Sequence, residues 1–290
     1  MKQIIAKAEV LIEALPHIQR FRGEIVVVKF GGSAMEERAC VERVLQDVAF
    51  MECVGLRPVV VHGGGKAINA RMKDAGLKPH FVQGLRVTDE ASMRIVEQVL
   101  NQELNPDLVT TLEGFGCKAR GIHGEDILQV AKLKRQDEAT GQWLEWGYVG
   151  TVVGADVEPI KAYLQAGITP VITPLGRGPD HQLYNINADE AAAALAERLQ
   201  ARKLVFLSDV PGLLAKLDDP ASLISTLRLS EVEDLIARGV ISGGMLPKIS
   251  GALKALRAGV RKTHIIDAAL PHSLLLELFT NQGVGTEIVP

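Results

Sequence analysis

The sequence predicts an α/β fold: a three-layer α-β-α sandwich with a mostly parallel central sheet, in two lobes, behind an N-terminal helix. Three observations carry this. From Glu24 onward, short β-branched runs alternate with helical stretches, and the runs are apolar on both faces, as in parallel strands covered from both sides. The 290 residues suffice for two lobes or one large α/β domain. Glycine is over-represented, at 28 residues, and gathers where strands end.

Ile4, Ile5, Ala8, Leu11, Ile12 and Leu15 recur on one helical face, so residues 1–20 read as an amphipathic helix. Pro16 should kink or end it near Leu15. A secretory signal would be apolar all round and end at a small-residue cleavage site, which this segment does not. The stripe must bury itself on its own domain or against another subunit. Strands are expected at 25–30, 58–62, 118–122, 168–173, 204–208 and 264–266. Helices are expected at 37–54, 67–75, 90–104, 158–166, 190–201, 230–238, 250–258 and 273–280. Residues 127–134 and 143–153 read as a β-hairpin joined around Thr140 and Gly141. The turn-rich stretch from Leu175 to Asp180 is the candidate lobe boundary, giving a helical extension at 1–23 and lobes at 24–180 and 181–290.

Composition removes several function classes. An apolar share of 47% excludes a disordered chain. A net charge of −3 gives no electrostatic footprint for nucleic acid. No apolar run approaches the roughly 18 residues of a membrane span. Cys40, Cys53 and Cys117 lie far apart without a C-x-x-C spacing, which argues against a disulfide framework or zinc site and fits a reducing cytosol.

The chemistry lies in the turns. Lys29 ends the first strand and is followed by Gly31 and Gly32, where open α/β sheets bind ligands and backbone N–H groups can face an anion. His62 ends the second strand, and Gly63, Gly64 and Gly65 then lead into a helix, a natural phosphate nest. The P-loop pattern and the dinucleotide fingerprint are both absent from this turn. His62 itself reads as structural. Arg86 offers a planar fork for a carboxylate, or else a surface ion pair; Asp89 suits an N-cap. Asn185, Asn187 and Asp189 share one side of the chain entering an Ala-rich helix. They could bind a polar ligand and orient cations, or form a capping cluster with Asp189 as the N-cap. Lys248 follows Ser242, Gly243, Gly244 and Pro247 at a helix start, where a lysine opposes the helix dipole unless an anion sits nearby.

Together, Lys29-Phe30-Gly31-Gly32, His62-Gly63-Gly64-Gly65, Gly84 to Thr88, Asn185 to Asp189 and Gly244 to Lys248 resemble the amino acid kinase family, in order, from Glu24 to Pro290. The resemblance is to the branch that phosphorylates the side-chain carboxylate of N-acetyl-L-glutamate with MgATP in arginine biosynthesis. It implies that Lys29 and Lys248 stabilise the transferring phosphoryl group and that Asp189 orients both. It implies that Gly64, Gly65, Arg86 and Asn185 hold the acyl amino acid, with Arg86 on the α-carboxylate. Gly31, Gly32, Ser208, Asp209, Val210, Gly212, Ser242, Gly243 and Gly244 would border the nucleotide, and Mg²⁺ would come with ATP, with no protein side chain assigned to the metal.

The N-terminal helix resembles that of the arginine-inhibited branch, in which it links dimers into a hexamer. His264, Glu277 and Gly283 stand where that branch's arginine site would lie, although Asp267-Ala268-Ala269 departs from the expected Asp-Gly-Arg. The loop from Gly121 to Asp126 departs from the usual Ser-Gly-Lys-Asp. A PII-type nitrogen regulator is a further partner to test. Two alternatives stand beside this reading. One is a kinase for a carrier-linked aminoadipate or glutamate, which would favour a basic substrate entrance. The other is a non-catalytic arginine or nitrogen sensor, which would not need the phosphoryl-transfer residues.

Overall fold

The structure is a computed structural model that describes residues 1–137, 140–216, 218–280 and 283–290. The side chains at positions 3, 4, 6 and 7, including Ile4 of the expected stripe, lie outside the description. Helix α1 (Lys2–Phe21) continues through Pro16 rather than ending before it. Packing accounts for this: Ala14 and Ile18 rest on a hydrophobic core and Phe21 is buried in it. Those contacts offset the backbone bond that proline removes, a loss of about 3 kcal/mol.

The chain then runs through β1 (Ile25–Phe30), α2 (Arg38–Cys53), β2 (Arg57–His62), α3 (Gly65–Asp74), β3 (Phe81–Val82), β4 (Leu85–Arg86) and α4 (Glu90–Glu97). Asp89 caps α4 by accepting from the Ser92 amide at 2.8 Å. The helix expected to stop at 104 instead passes through a wider π-type turn (Gln98–Leu104) into α5 (Asn105–Gly114). Pro106, which has no N–H to donate, sits where the π-type turn passes into α5. There follow β5 (Ala119–Ile122), β6 (Leu128–Lys132), β7 (Arg135–Gln136), β8 (Trp143–Leu144), β9 (Val149–Ala155), α6 (Glu158–Gln165), β10 (Thr169–Ile172), β11 (Leu175–Arg177) and β12 (Leu183–Ile186). The last stretch holds α7 (Ala188–Arg198), β13 (Lys203–Ser208), β14 (Thr226–Arg228), α8 (Val232–Ala237), α9 (Met245–Arg257), β15 (Lys262–Asp267), α10 (Ser273–Phe279) and β16 (Thr286–Val289).

Eight strands form the main sheet in the order β14-β16-β15-β13-β1-β2-β10-β5, parallel except where β15 meets β16. Alternation along the strands divides the interior in two. Val27, Val59, Leu204 and Phe206 face α7 and α9, whereas Val26, Val28, Val60 and Val205 face α2 and α10. That is the three-layer sandwich. Strands β6, β9, β12 and β11 close on themselves into a small barrel, with β6 and β9 antiparallel as the expected hairpin. The turn-rich stretch from Leu175 forms β11 and a turn into β12, its antiparallel partner. β14 and β16 had no counterpart among the expected strands; three and four residues long, they are too short to show a period.

β1 lies between β2 and β13, so the chain leaves it in both directions across the sheet. The crevice at the C-terminal ends of these strands is where open α/β sheets receive ligands.

Candidate active site

Three glycine-bearing turns meet at that crevice: Gly31 and Gly32 after β1, Gly63 to Gly65 after β2, and the turn from Ser208 to Gly212 after β13. A cavity of about 350 Å³ opens there, lined among others by Lys29, Gly64, Gly65, Arg86, Asn185 and Asp189. The backbone packs closely around it. A Cβ on Gly31 would stand 3.0 Å from Lys29 Nζ, and one on Gly64 would stand 2.6 Å from Leu100 Cδ2.

Asp189 is the hub. Lys29 Nζ lies 2.9 Å from its Oδ1, and Lys248 Nζ donates to its Oδ2 at 2.9 Å, with all three side chains almost entirely buried. Lys29 approaches off the line of a hydrogen bond, so that contact is mainly electrostatic. Burial alone would raise the Asp189 pKa, but the two ammonium groups outweigh it and hold the carboxyl below its ordinary range. Burial also lowers the Lys29 pKa; Asp189 pulls it back up, and the like charge of Lys248 adds to the lowering.

Local sequence explains the convergence. Asn187, rather than Asp189, caps α7, accepting from the amides of Asp189 at 2.8 Å and Glu190 at 3.4 Å. The capping role falls to Asn187 because it is the extended residue before the helix, which leaves the Asp189 side chain free. α7 presents a run of buried alanines to α9, where Gly251 lets the two helices approach closely. α9 begins at Met245, five residues before the expected start, with Pro247 in its first turn, and this places Lys248 over Asp189.

Arg86 is only 7% exposed and has no carboxylate partner among the described residues. Its guanidinium lies 4.9 Å from the Phe81 ring centroid. Its Nη2 donates to Asn69 Oδ1 at 2.6 Å and to Gly65 O at 3.0 Å. A buried cation without a counter-ion in a cavity calls for an anionic ligand. Asn185 Nδ2 donates to Thr88 Oγ1 at 3.3 Å. His62 is fully buried, with Nε2 3.1 Å from Asn105 Nδ2; burial pulls its pKa down to about 4. It holds the floor of the turn and is not a ligand of the cavity.

The other sequence-selected residues lie at varied distances from this centre. Ser208 is buried at the end of β13 and donates to Asp209 Oδ1, while Ser33 donates to Asp209 Oδ2, both at 3.4 Å. Val210 and Gly212 follow in the same turn. Ser242, Gly243 and Gly244 are exposed ahead of α9 and do not line the cavity. His264, Glu277 and Gly283 meet elsewhere. His264 Nδ1 is 2.7 Å from Glu277 Oε1, and the Val284 amide next to Gly283 donates to Glu277 Oε2 at 3.0 Å. Burial lowers His264, whereas Glu277, which burial would raise, is held low by His264 and Lys203. Lys203 Nζ lies 5.0 Å from the Phe21 ring centroid of α1, and burial lowers its pKa to about 8.

Asn69, Lys66 and Phe81 line the cavity but escape a motif search. Helical periodicity could have found Asn69, one turn beyond Gly65 on the same face of α3. Among the described residues, no group of three or more His, Cys, Asp or Glu side chains could hold a metal. No helix among them is long and apolar enough to cross a membrane.

Comparison with known proteins gives the family. The chain is 47% identical to an acetylglutamate kinase of Heliobacterium modesticaldum, covering 100% of both chains. It is also 47% identical to an acetylglutamate kinase of Symbiobacterium thermophilum, covering 99% of each. Among solved structures, an N-acetylglutamate synthase from Neisseria gonorrhoeae complexed with coenzyme A and N-acetyl-glutamate superposes with a TM-score of 0.85 at 28% identity. That match covers 98% of this chain but only 63% of the synthase. The same synthase complexed with coenzyme A and L-arginine matches with a TM-score of 0.80 at 27% identity, over 97% of this chain and 65% of that one. The sequence model of the amino acid kinase family matches residues 24–267, a span that contains both lysines and the carboxylate between them, and the chain belongs to that family.

Proposed function

We propose that this chain transfers the γ-phosphoryl group of ATP to the side-chain carboxylate of N-acetyl-L-glutamate, giving N-acetyl-L-glutamyl 5-phosphate and ADP in arginine biosynthesis. The observation that carries the reading is one cavity lined both by buried Arg86, which has no carboxylate partner among the described residues, and by Lys29 and Asp189, whose carboxylate also holds Lys248. Full-length relatives named acetylglutamate kinase favour it over the carrier-linked and sensor alternatives.

A carboxylate is already ionised at neutral pH, so it attacks phosphorus without a general base. The chain's task is to position the reactants and neutralise charge. Arg86, with Gly64, Gly65 and Asn185, holds the acyl amino acid by its α-carboxylate and backbone. Lys29 and Lys248 face the transferring group and the leaving oxygen, and Asp189 keeps the two ammonium groups close despite their repulsion. Gly31, Gly32, Ser208, Asp209, Val210, Gly212 and the Ser242-Gly243-Gly244 turn border the nucleotide. The donor set fits a metal that arrives on ATP, because Asp189 is charge-paired with two lysines and no group of three or more His, Cys, Asp or Glu among the described residues could hold a metal. When bound, Mg²⁺ offsets charge on the β- and γ-phosphates.

Residues 24–180 form the acyl amino acid lobe and 181–290 the nucleotide lobe, the division falling in the turn between β11 and β12. The 1–23 extension serves assembly, joining dimers into a hexamer. In support, Ile5, Leu11, Ile12 and Leu15 leave an apolar stripe exposed on α1. Arginine inhibits by binding at His264, Glu277 and Gly283, next to Lys203 and α1; the synthase of this fold that holds L-arginine supports an arginine site on the scaffold. The protein acts in the cytoplasm on this reading, which its reactants and cysteine usage support. The deciding assay is ATP-dependent acyl phosphate formation with N-acetyl-L-glutamate, trapped by hydroxylamine, with and without arginine. Absence of the hydroxamate would refute the reading.

A further inference from the structure

The hydrogen bonds of Arg86 are arranged so that its fork is only partly available. Nη2 has two acceptors, Asn69 Oδ1 at 2.6 Å and Gly65 O at 3.0 Å, while Nη1 reaches Met72 Sδ at 3.2 Å. Both bidentate grips of a guanidinium on a carboxylate, end-on and side-on, use a hydrogen of Nη2. A carboxylate gripped in this way must therefore displace one of the two acceptors. Gly65 O is backbone in the first turn of α3 and cannot swing away. Asn69 can, because it is a half-buried side chain that lines the same cavity. Its Nδ2 has no hydrogen-bond partner among the described residues.

We propose that Asn69 is a specificity-determining partner of Arg86: its amide holds the guanidinium in place in the free protein and, on binding, turns so that Nδ2 donates to the same α-carboxylate that Arg86 grips. Only an amide suits both states. It supplies a neutral acceptor that an incoming carboxylate can replace, and then a donor to that carboxylate. An aspartate here would close a buried ion pair with Arg86 and repel the substrate, and an alanine would leave the fork unheld. The inference rests on reading Arg86 as the α-carboxylate anchor.

The test compares N-acetyl-L-glutamate with 4-acetamidobutanoate, which lacks the α-carboxylate, in the wild type, Asn69→Asp and Asn69→Ala. The preference, measured as the ratio of kcat/KM values, should fall by about tenfold or more in Asn69→Asp, the scale of a hydrogen bond to a charged group. It should fall less, but in the same direction, in Asn69→Ala. The loss should appear mainly as a higher KM for N-acetyl-L-glutamate, with the KM for ATP serving as the folding control. A merely structural role would depress both substrates alike and leave the ratio unchanged, which would overturn the proposal. If Asn69→Asp does not fold, Asn69→Ala decides. A wild type that makes no acyl phosphate from N-acetyl-L-glutamate ends the parent reading and this one with it. An active wild type with unchanged preference in both variants ends this one alone.

Discussion

Lys248 Nζ lies 2.9 Å from Asp189 Oδ2, although the two residues sit on different helices and 59 positions apart in the chain. The contact exists because α7 and α9 pack through alanine and glycine, and it leaves Asp189 Oδ1 to Lys29. Two cations thus share one buried anion, an arrangement of net positive charge beside the cavity that Lys29 and Asp189 line.

Breaking this cluster should separate catalysis from acceptor binding. Lys248→Ala leaves Lys29 and Asp189 paired, so folding survives. Its kcat should fall by about two orders of magnitude or more, the scale of losing a preorganised charge on the transition state. The KM for N-acetyl-L-glutamate, which the proposed function assigns to Arg86 and the second glycine turn, should change little. Asp189→Asn should be worse, since it leaves two buried ammonium groups without a counter-ion and costs about 3–5 kcal/mol of stability as well. Steady-state kinetics and thermal midpoints measure both effects, and near-normal kcat for Lys248→Ala would remove that lysine from the mechanism.

His62 should make stability fall in mild acid. Its folded pKa is depressed from 6.5 to about 4 because burial disfavours the charged ring. Between those values the unfolded chain binds a proton that the folded chain does not, so the unfolded state gains as pH drops. Above pH 6.5 the effect is absent; by about pH 4 it reaches about 3 kcal/mol, at 1.36 kcal/mol per unit. His62→Gln should flatten the decline in urea midpoint between pH 7 and 4.5 by about one proton's worth of linkage. A decline as steep as the wild type's would show that the burden lies elsewhere, His264 being the other buried histidine.

What could be read from the sequence follows from where the information is local. Strand β1 and the glycines behind it are contiguous, so the fold class and the glycine turns at the crevice were legible from period and composition. Asp189 was ambiguous, because a carboxylate just inside a helix looks like a cap until Asn187 is seen to hold that role. Asn69 was hidden since its significance depends on Arg86, 17 positions away and on another element. The run through Pro16 depended on packing of Ile18 and Phe21 that no local rule contains. β14 and β16 add strands by pairing alone.

Gly64 should resist enlargement for steric reasons alone. Its φ is −177°, extended backbone open to any residue, yet an added Cβ would meet Leu100 Cδ2 at 2.6 Å and Leu104 Cδ1 at 2.8 Å. Gly64→Ala should cost about 1–3 kcal/mol through overpacking. It should also raise the KM for the acceptor, because Leu100 lines the cavity. Combining it with Leu100→Ala removes the closer of the two clashes and leaves that with Leu104, so the double variant should be more stable than the sum of the two single losses allows. A double-mutant cycle of urea midpoints measures the coupling. Strict additivity would mean that the clash is relieved by backbone movement instead.

The exposed stripe of α1 should control assembly without controlling the fold. Leu11 is 67% exposed and Ile12 68%, while Ala14, Ile18 and Phe21 anchor the same helix to the body of the protein. Replacing Leu11 and Ile12 together by Lys therefore removes no intramolecular core contact, and surface substitutions of this kind shift stability by only about 0.5 kcal/mol. If the stripe joins dimers, the double substitution, like deletion of residues 1–20, should convert a hexamer to a dimer by light scattering. Phe21 of α1 also reaches Lys203, next to His264 and Glu277, so if arginine binds there, deletion of residues 1–20, which removes the helix that carries Phe21, should weaken its inhibition while leaving kcat at saturating substrate near that of the wild type. An unchanged mass in both variants would show that α1 is no assembly element. A deletion dimer with undiminished arginine inhibition would separate the effector site from the helix.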